Sequence, residues 1–108
     1  MARTAASTRS NQTPGAKRLA DIRRVADLLK RVSDPTRVQV LLLLNEQERK
    51  VSELCSILGT QSPPALSHHL SLLRHGHLIE PIRTGKFLVY RLTEAGESLV
   101  NVIEEVVE

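Results

Sequence analysis

Leu19, Ile22, Ala26, Leu29 and Val32 recur at helical spacing, with Arg23, Arg24, Lys30 and Arg31 on the remaining faces. This predicts an amphipathic first helix that ends at Ser33-Asp34-Pro35, where Asp34 can cap a second helix with proline at its first position. The second helix carries Val38 and the unbroken apolar run 40–44, so it is apolar on almost every side and belongs at the centre of a core. A polar loop over 45–50 follows, then a short helix over 52–58 closed by Gly59. Ser62 can cap a further helix that opens on Pro63, turns Leu66, Leu70, Leu72 and Leu73 inward and ends near Gly76.

The tight turn Gly59-Thr60-Gln61 between two short helices makes a helix-turn-helix. Apolar and β-branched runs at 78–82 and 87–92, separated by Arg83-Thr84-Gly85-Lys86, predict a hairpin with a basic tip. The chain then shows a last stripe of Ala95, Leu99, Val102, Ile103, Val106 and Val107, with Thr93 as its helix cap and glutamates on the other faces. The expected architecture is mainly α with a small β-hairpin, a winged helix-turn-helix of order α-α-α-α-β-β-α over residues 18–108. Residues 1–17, rich in Ala, Ser, Thr, Arg and Gln and without apolar periodicity, are expected to be a disordered basic tail.

Composition narrows the function classes. One domain is expected from 108 residues, and a net charge of +3 with 41% hydrophobic residues describes a globular chain with a mild basic bias. The bias is uneven: residues 1–31 hold eight Lys/Arg against two Asp, whereas 93–108 hold five Glu and no base. A lone cysteine, Cys55, excludes an internal disulfide and any multi-thiolate metal site within one chain, and suits a reducing compartment. Its default reading is core filler where two helices meet. The longest apolar run is far short of the roughly 20 residues that span a bilayer, and no signal-like segment opens the chain, so a cytoplasmic protein without a membrane partner is expected. No phosphate-cradling glycine loop, HExxH or activated nucleophile is visible, which argues against an enzyme.

Several pieces together carry a resemblance: Asp34-Pro35-Thr36-Arg37, Gln61-Ser62 through Leu66-Ser67-His68-His69-Leu70, Leu72-Leu73-Arg74, and Gly85-Lys86 through Tyr90-Arg91-Leu92. In order and spacing they are similar to the ArsR/SmtB family of winged helix-turn-helix regulators of bacterial transcription. The resemblance implies that the fourth helix reads the major groove of duplex DNA, that the outer helices join two protomers, and that repression is the default outcome.

The residues agree with that implication on physical grounds. No acid occurs from Leu54 to Ile79, so this stretch can approach phosphates without repulsion. Gln61, Ser62, Ser67 and His68 at the start and outer face of the fourth helix are the candidate contacts to base edges and phosphates, with Ala65 and His69 on the same surface. Ser62 has a second reading as an N-cap alone, and His69 as an internally packed or capping side chain. Arg83 and Lys86 at the hairpin tip, and Arg74, are candidate backbone contacts that position rather than select. No Arg, Lys or Asn on this helix is placed for a bidentate base pair, so specificity is expected to lean on DNA shape and on a doubled, palindromic half-site.

Doubling would come from Leu19, Ile22 and Ala26 of the first helix with Leu99, Val102, Ile103 and Val106 of the last, which together form a candidate homodimer surface. The alternative is that the last stripe packs wholly within its own protomer. By resemblance, a thiolate metal site of the family would fall on Lys50, Ser52 and Cys55, and its other common site on Glu94, Gly96 and Val107. Both ligand sets are broken, so no metal or other cofactor is expected. Three readings stay open beside the main one: a metal site from His75, His77 and Glu80, a redox role for Cys55, and a protein-interaction module for an acidic partner.

Overall fold

The computed structural model describes residues 14–59 and 62–107, with side chains from Arg18 onward. Helix α1 spans Pro14–Val32, α2 Pro35–Glu46, α3 Val51–Leu58, α4 Pro63–His75 and α5 Glu94–Val107; strand β1 is Arg49–Lys50, β2 Ile79–Thr84 and β3 Phe87–Leu92. Helix α1 opens before residue 18, where the expected tail gave way to structure, because Pro14 suits the first turn of a helix and lacks only an amide proton that would go unpaired there. The rest of the expected tail, 1–13, lies outside the described residues.

The boundary between two compact units falls at Lys30 and Arg31. In the first, α1 exposes Leu19, Ile22, Val25 and Leu29 in the isolated chain and carries an exposed ion pair between Asp21 and Arg24 at 2.7 Å. The second unit is built around α2. Val40 and Leu41 are fully buried, Leu44 nearly so, and Leu54, Leu66, Leu70, Leu73, Leu78, Ile79 and Val100 close over them. Each such side chain contributes roughly 1.5–3 kcal/mol on burial, so this layer fixes how α3 and α4 stand against α2.

Local chemistry sets the ends. Asp34 accepts from the Thr36 and Arg37 amides at 2.9 and 3.1 Å, which caps α2. Gly59 closes α3 at φ +72°, a left-handed conformation that glycine adopts without a Cβ penalty. At the end of α4 the left-handed position falls on His77 (φ +60°) and not on Gly76. Gly76 is needed for space instead: a Cβ there would meet the Arg31 side chain, whose Nη1 donates to the Leu72 carbonyl at 3.1 Å.

The sheet differs from the expected lone hairpin. It has three antiparallel strands in the order β1-β3-β2, with Arg49 opposite Tyr90 and Lys50 opposite Val89. The segment read as the end of a polar loop is drawn alongside β3 because Arg49 reaches back, its Nε to the Leu43 carbonyl at 3.1 Å and its Nη2 to Glu46 at 2.7 Å. The hairpin turn is also tighter than expected. Arg83 and Thr84 lie in β2, Thr84 pairs with Phe87, and only Gly85-Lys86 turn, with Gly85 at φ +63° as a two-residue hairpin requires.

Helix α5 is capped by Thr93, whose Oγ1 accepts from Gly96 N at 3.0 Å and donates to the His77 carbonyl at 2.7 Å. Its inner face is Gly96 and Val100, both buried, a face the six-residue stripe did not include. Val102 and Val106, from that stripe, are 54% and 79% exposed in the isolated chain. Leu99 and Ile103 are intermediate and border the two faces.

Candidate nucleic-acid interface

Leu66, Leu70 and Leu73 pin one side of α4 to the core and thereby present the opposite side to solvent. Ser67, His68, Arg74 and His75 all lie on that exposed side, as does Ser71, whose Oγ is 3.3 Å from Nδ1 of His75. Ser71 was not among the sequence candidates, although it sits one turn beyond Ser67 and the i, i+4 rule places the two on one ridge. Ser62 accepts from the Ala65 amide at 3.3 Å, so its capping role is made; its side chain remains exposed at the entry to the helix. Ala65 is half-buried. Gln61 lies outside the described residues.

His69 is turned the other way. Its Nδ1 lies 3.2 Å from Nη1 of Arg37 and 3.8 Å from Oδ2 of Asp34, and the ring is largely covered. Of the two readings of His69 the geometry therefore favours the internal one, in which the ring ties α4 to the start of α2.

Acids are scarce along this stretch of the chain. From Leu54 to Thr93 the only acid is Glu80, and Arg91 Nε holds its carboxylate at 2.9 Å. Arg83, Gly85 and Lys86 form the exposed hairpin end, and the first turn of α4 carries no acid to offset the positive end of its dipole. A cation missed in sequence stands beside the hairpin: Lys50 Nζ lies 4.2 Å from the centroid of the half-exposed Phe87 ring. No sequence signal pointed to it, because the proximity comes from the β1–β3 register.

A helix-turn-helix seated on an apolar core, with a basic antiparallel wing after its second helix, defines the class: this is a winged helix-turn-helix regulator fold. The family model described as "Bacterial regulatory protein, arsR family" matches residues 34–80, from the cap of α2 into β2. The chain is 41% identical over 80 residues to the biofilm growth-associated repressor of Xylella fastidiosa, covering 73% of this chain and 69% of that one. Among solved structures it is similar to the transcriptional repressor BigR from Xylella fastidiosa (TM-score 0.74, 36% identity, covering 84% of this chain and 90% of that one). It is also similar to the homodimeric winged helix-turn-helix DNA-binding domain Mb0332 from Mycobacterium bovis (TM-score 0.76, 27% identity, 89% of each chain). The chain belongs to the ArsR family of bacterial regulatory proteins.

The family's metal-binding positions do not fit a metal here. Lys50 is committed to the Phe87 ring, Ser52 is exposed, and Cys55, half-buried, offers a single thiol where a thiophilic ion needs several. Among the described residues no three His, Cys, Asp or Glu side chains converge, His75, His77 and Glu80 included, and Glu80 is engaged by Arg91. Among the described residues, no helix is long and apolar enough to cross a membrane.

Proposed function

We propose that this protein is a cytoplasmic transcriptional repressor that acts as a homodimer, binding a palindromic operator in duplex DNA through α4 and the β2–β3 wing. The observation that carries the reading is the scarcity of acids from Leu54 to Thr93, where the single carboxylate, Glu80, is paired with Arg91. Such a stretch can release counterions from phosphates without a repulsive penalty. Ser67, His68 and Ser71 enter the groove, Arg74, Arg83 and Lys86 hold the flanking backbone, and the exposed apolar faces of α1 and α5 join the two copies. Two-fold symmetry would set the α4 helices about one DNA turn, roughly 34 Å, apart. Names of its relatives support the reading, being those of repressors. The protein works by binding and not by catalysis, and the broken ligand sets support action without a resident metal or other cofactor.

The test is selection of bound duplexes from a random pool, followed by a salt titration on the winner. An inverted-repeat site is expected, with the logarithm of affinity falling linearly in log salt by about 0.9 per phosphate neutralised. Enrichment of no site, or an affinity indifferent to salt, would overturn the reading.

A further inference from the structure

Lys50 ends the edge strand β1 opposite Val89, and β3 begins two residues earlier, at Phe87, directly after the turn. The side chain of Lys50 therefore runs toward the hairpin tip and ends with Nζ 4.2 Å from the Phe87 ring centroid. The ring is 50% exposed, unusual for a phenylalanine in a chain with only two aromatic residues besides histidine, and it serves no core function. What it does is hold a flexible ammonium at one place by the attraction between a cation and the ring face.

Three cations from two elements thus surround the wing tip: Lys50, Arg83 and Lys86. None is in an ion pair among the described residues, and no acid occurs between Pro81 and Thr93. Of the two acids closest to Lys50 along the chain, Glu48 faces Arg91 Nη1 at 4.0 Å, and Glu53 has folded its carboxylate onto the Lys50 backbone amide at 2.7 Å, where it serves the start of α3. An ammonium pre-positioned beside the wing has the chemistry of a point contact to a phosphate.

We propose that Lys50, restrained by Phe87, is a DNA-phosphate contact on the flank of the wing, which extends the footprint beyond α4 and the hairpin tip. The proposal rests on the DNA-binding reading above. A compact point charge of this kind adds affinity to all sequences alike and selects none.

The experiment is a fluorescence-anisotropy titration of the full chain on a mixed-sequence duplex of about three helical turns, at salt from about 50 to 200 mM. Lys50→Gln should reduce the slope of log affinity against log salt by about 0.9, so that its deficit relative to the natural protein shrinks about threefold across that range. Lys50→Arg should restore the slope. Phe87→Leu should weaken binding with the slope kept, and the double variant should bind no worse than Lys50→Gln alone. A Lys50→Gln slope equal to that of the natural protein, while Arg83→Gln lowers it, would overturn this inference and leave the DNA-binding reading standing. Absence of salt-dependent binding by the natural protein would overturn both. An unchanged thermal midpoint for Lys50→Gln confirms that the comparison is between folded proteins.

Discussion

Arg37 and His69 meet side chain to side chain, Nη1 to Nδ1 at 3.2 Å, and so fasten the first turn of α2 to the middle of α4. The guanidinium of Arg37 is a donor only. Removing the donor strands a covered ring nitrogen and deprives Asp34 of a neighbouring cation. Arg37→Ala is therefore expected to cost about 1–3 kcal/mol in urea denaturation, and to weaken DNA binding to every sequence by a similar factor. A variant as stable as the natural protein would show the pair to be incidental.

Asp34 should make stability depend on acid. Desolvation, the largest single influence, pushes its carboxyl up, but the amide of Arg37, the charge of His69, the amide of Thr36 and the charge of Arg37 together outweigh it and hold the group below the usual carboxylate range. A pKa lowered by folding stabilises the folded state above the unfolded value, about 3.9, and that contribution is lost as pH falls through the lower folded value. Asp34→Asn should accordingly lower the denaturation midpoint at neutral pH, with the difference closing in strong acid. A difference that stays constant as the carboxyl is protonated would assign the effect to shape and not charge.

Ser67 and His68 stand on the exposed ridge of α4 and make none of the core contacts of Leu66 and Leu70. The double change to alanine should abolish preference for the selected operator while leaving both the oligomeric state and the non-specific, salt-dependent binding in place. Competition between operator and random duplex measures this directly, and retention of the preference would move the reading residues elsewhere.

Val102 and Val106 sit on the uncovered side of α5, away from Gly96 and Val100. Glutamate at both positions should leave the protomer folded by circular dichroism and shift it to a monomer in sedimentation velocity. Operator affinity should fall by more than tenfold, because one half-site then binds alone. A dimer that survives both charges must use another face.

Gly96 packs against the Leu78 carbonyl so tightly that a Cβ would overlap the oxygen, with the Leu92 side chain close behind. Gly96→Ala should cost about 1–3 kcal/mol or more, by overpacking at a point where backbone meets backbone and neither side can yield. Thermal denaturation would reveal it, and a tolerated alanine would mean that α5 can slide on the sheet.

Much of this fold is legible along the chain because its helices announce themselves by punctuation. Asp34-Pro35, Gly59, Ser62-Pro63 and Thr93 mark ends that the structure places at the same residues. Strand β1 is not legible. Arg49-Lys50 are two charged residues with no alternation to read, and they become a strand only through the tertiary grip of Arg49 on α2. Lys50 was hidden for the same reason, since its partner Phe87 is remote in sequence. The two-sided character of α5 was half visible: exposed Val102 and Val106 stood out, whereas buried Val100 stood outside the stripe and Gly96 entered only as a broken ligand position. His69 divided the readings because a histidine beside Ser67 and His68 has the chemistry of a contact, and only the position of Arg37 shows which way it turns.

The sheet order also restricts how copies of the molecule can stick together. One margin of the sheet is a strand of two residues ending in lysine, and the other runs through Pro81, which has no amide hydrogen to offer. Both features disfavour the addition of a further strand, and with it growth of the sheet into fibrils or swapped ribbons. Self-association is thereby steered away from the sheet and toward helical surfaces.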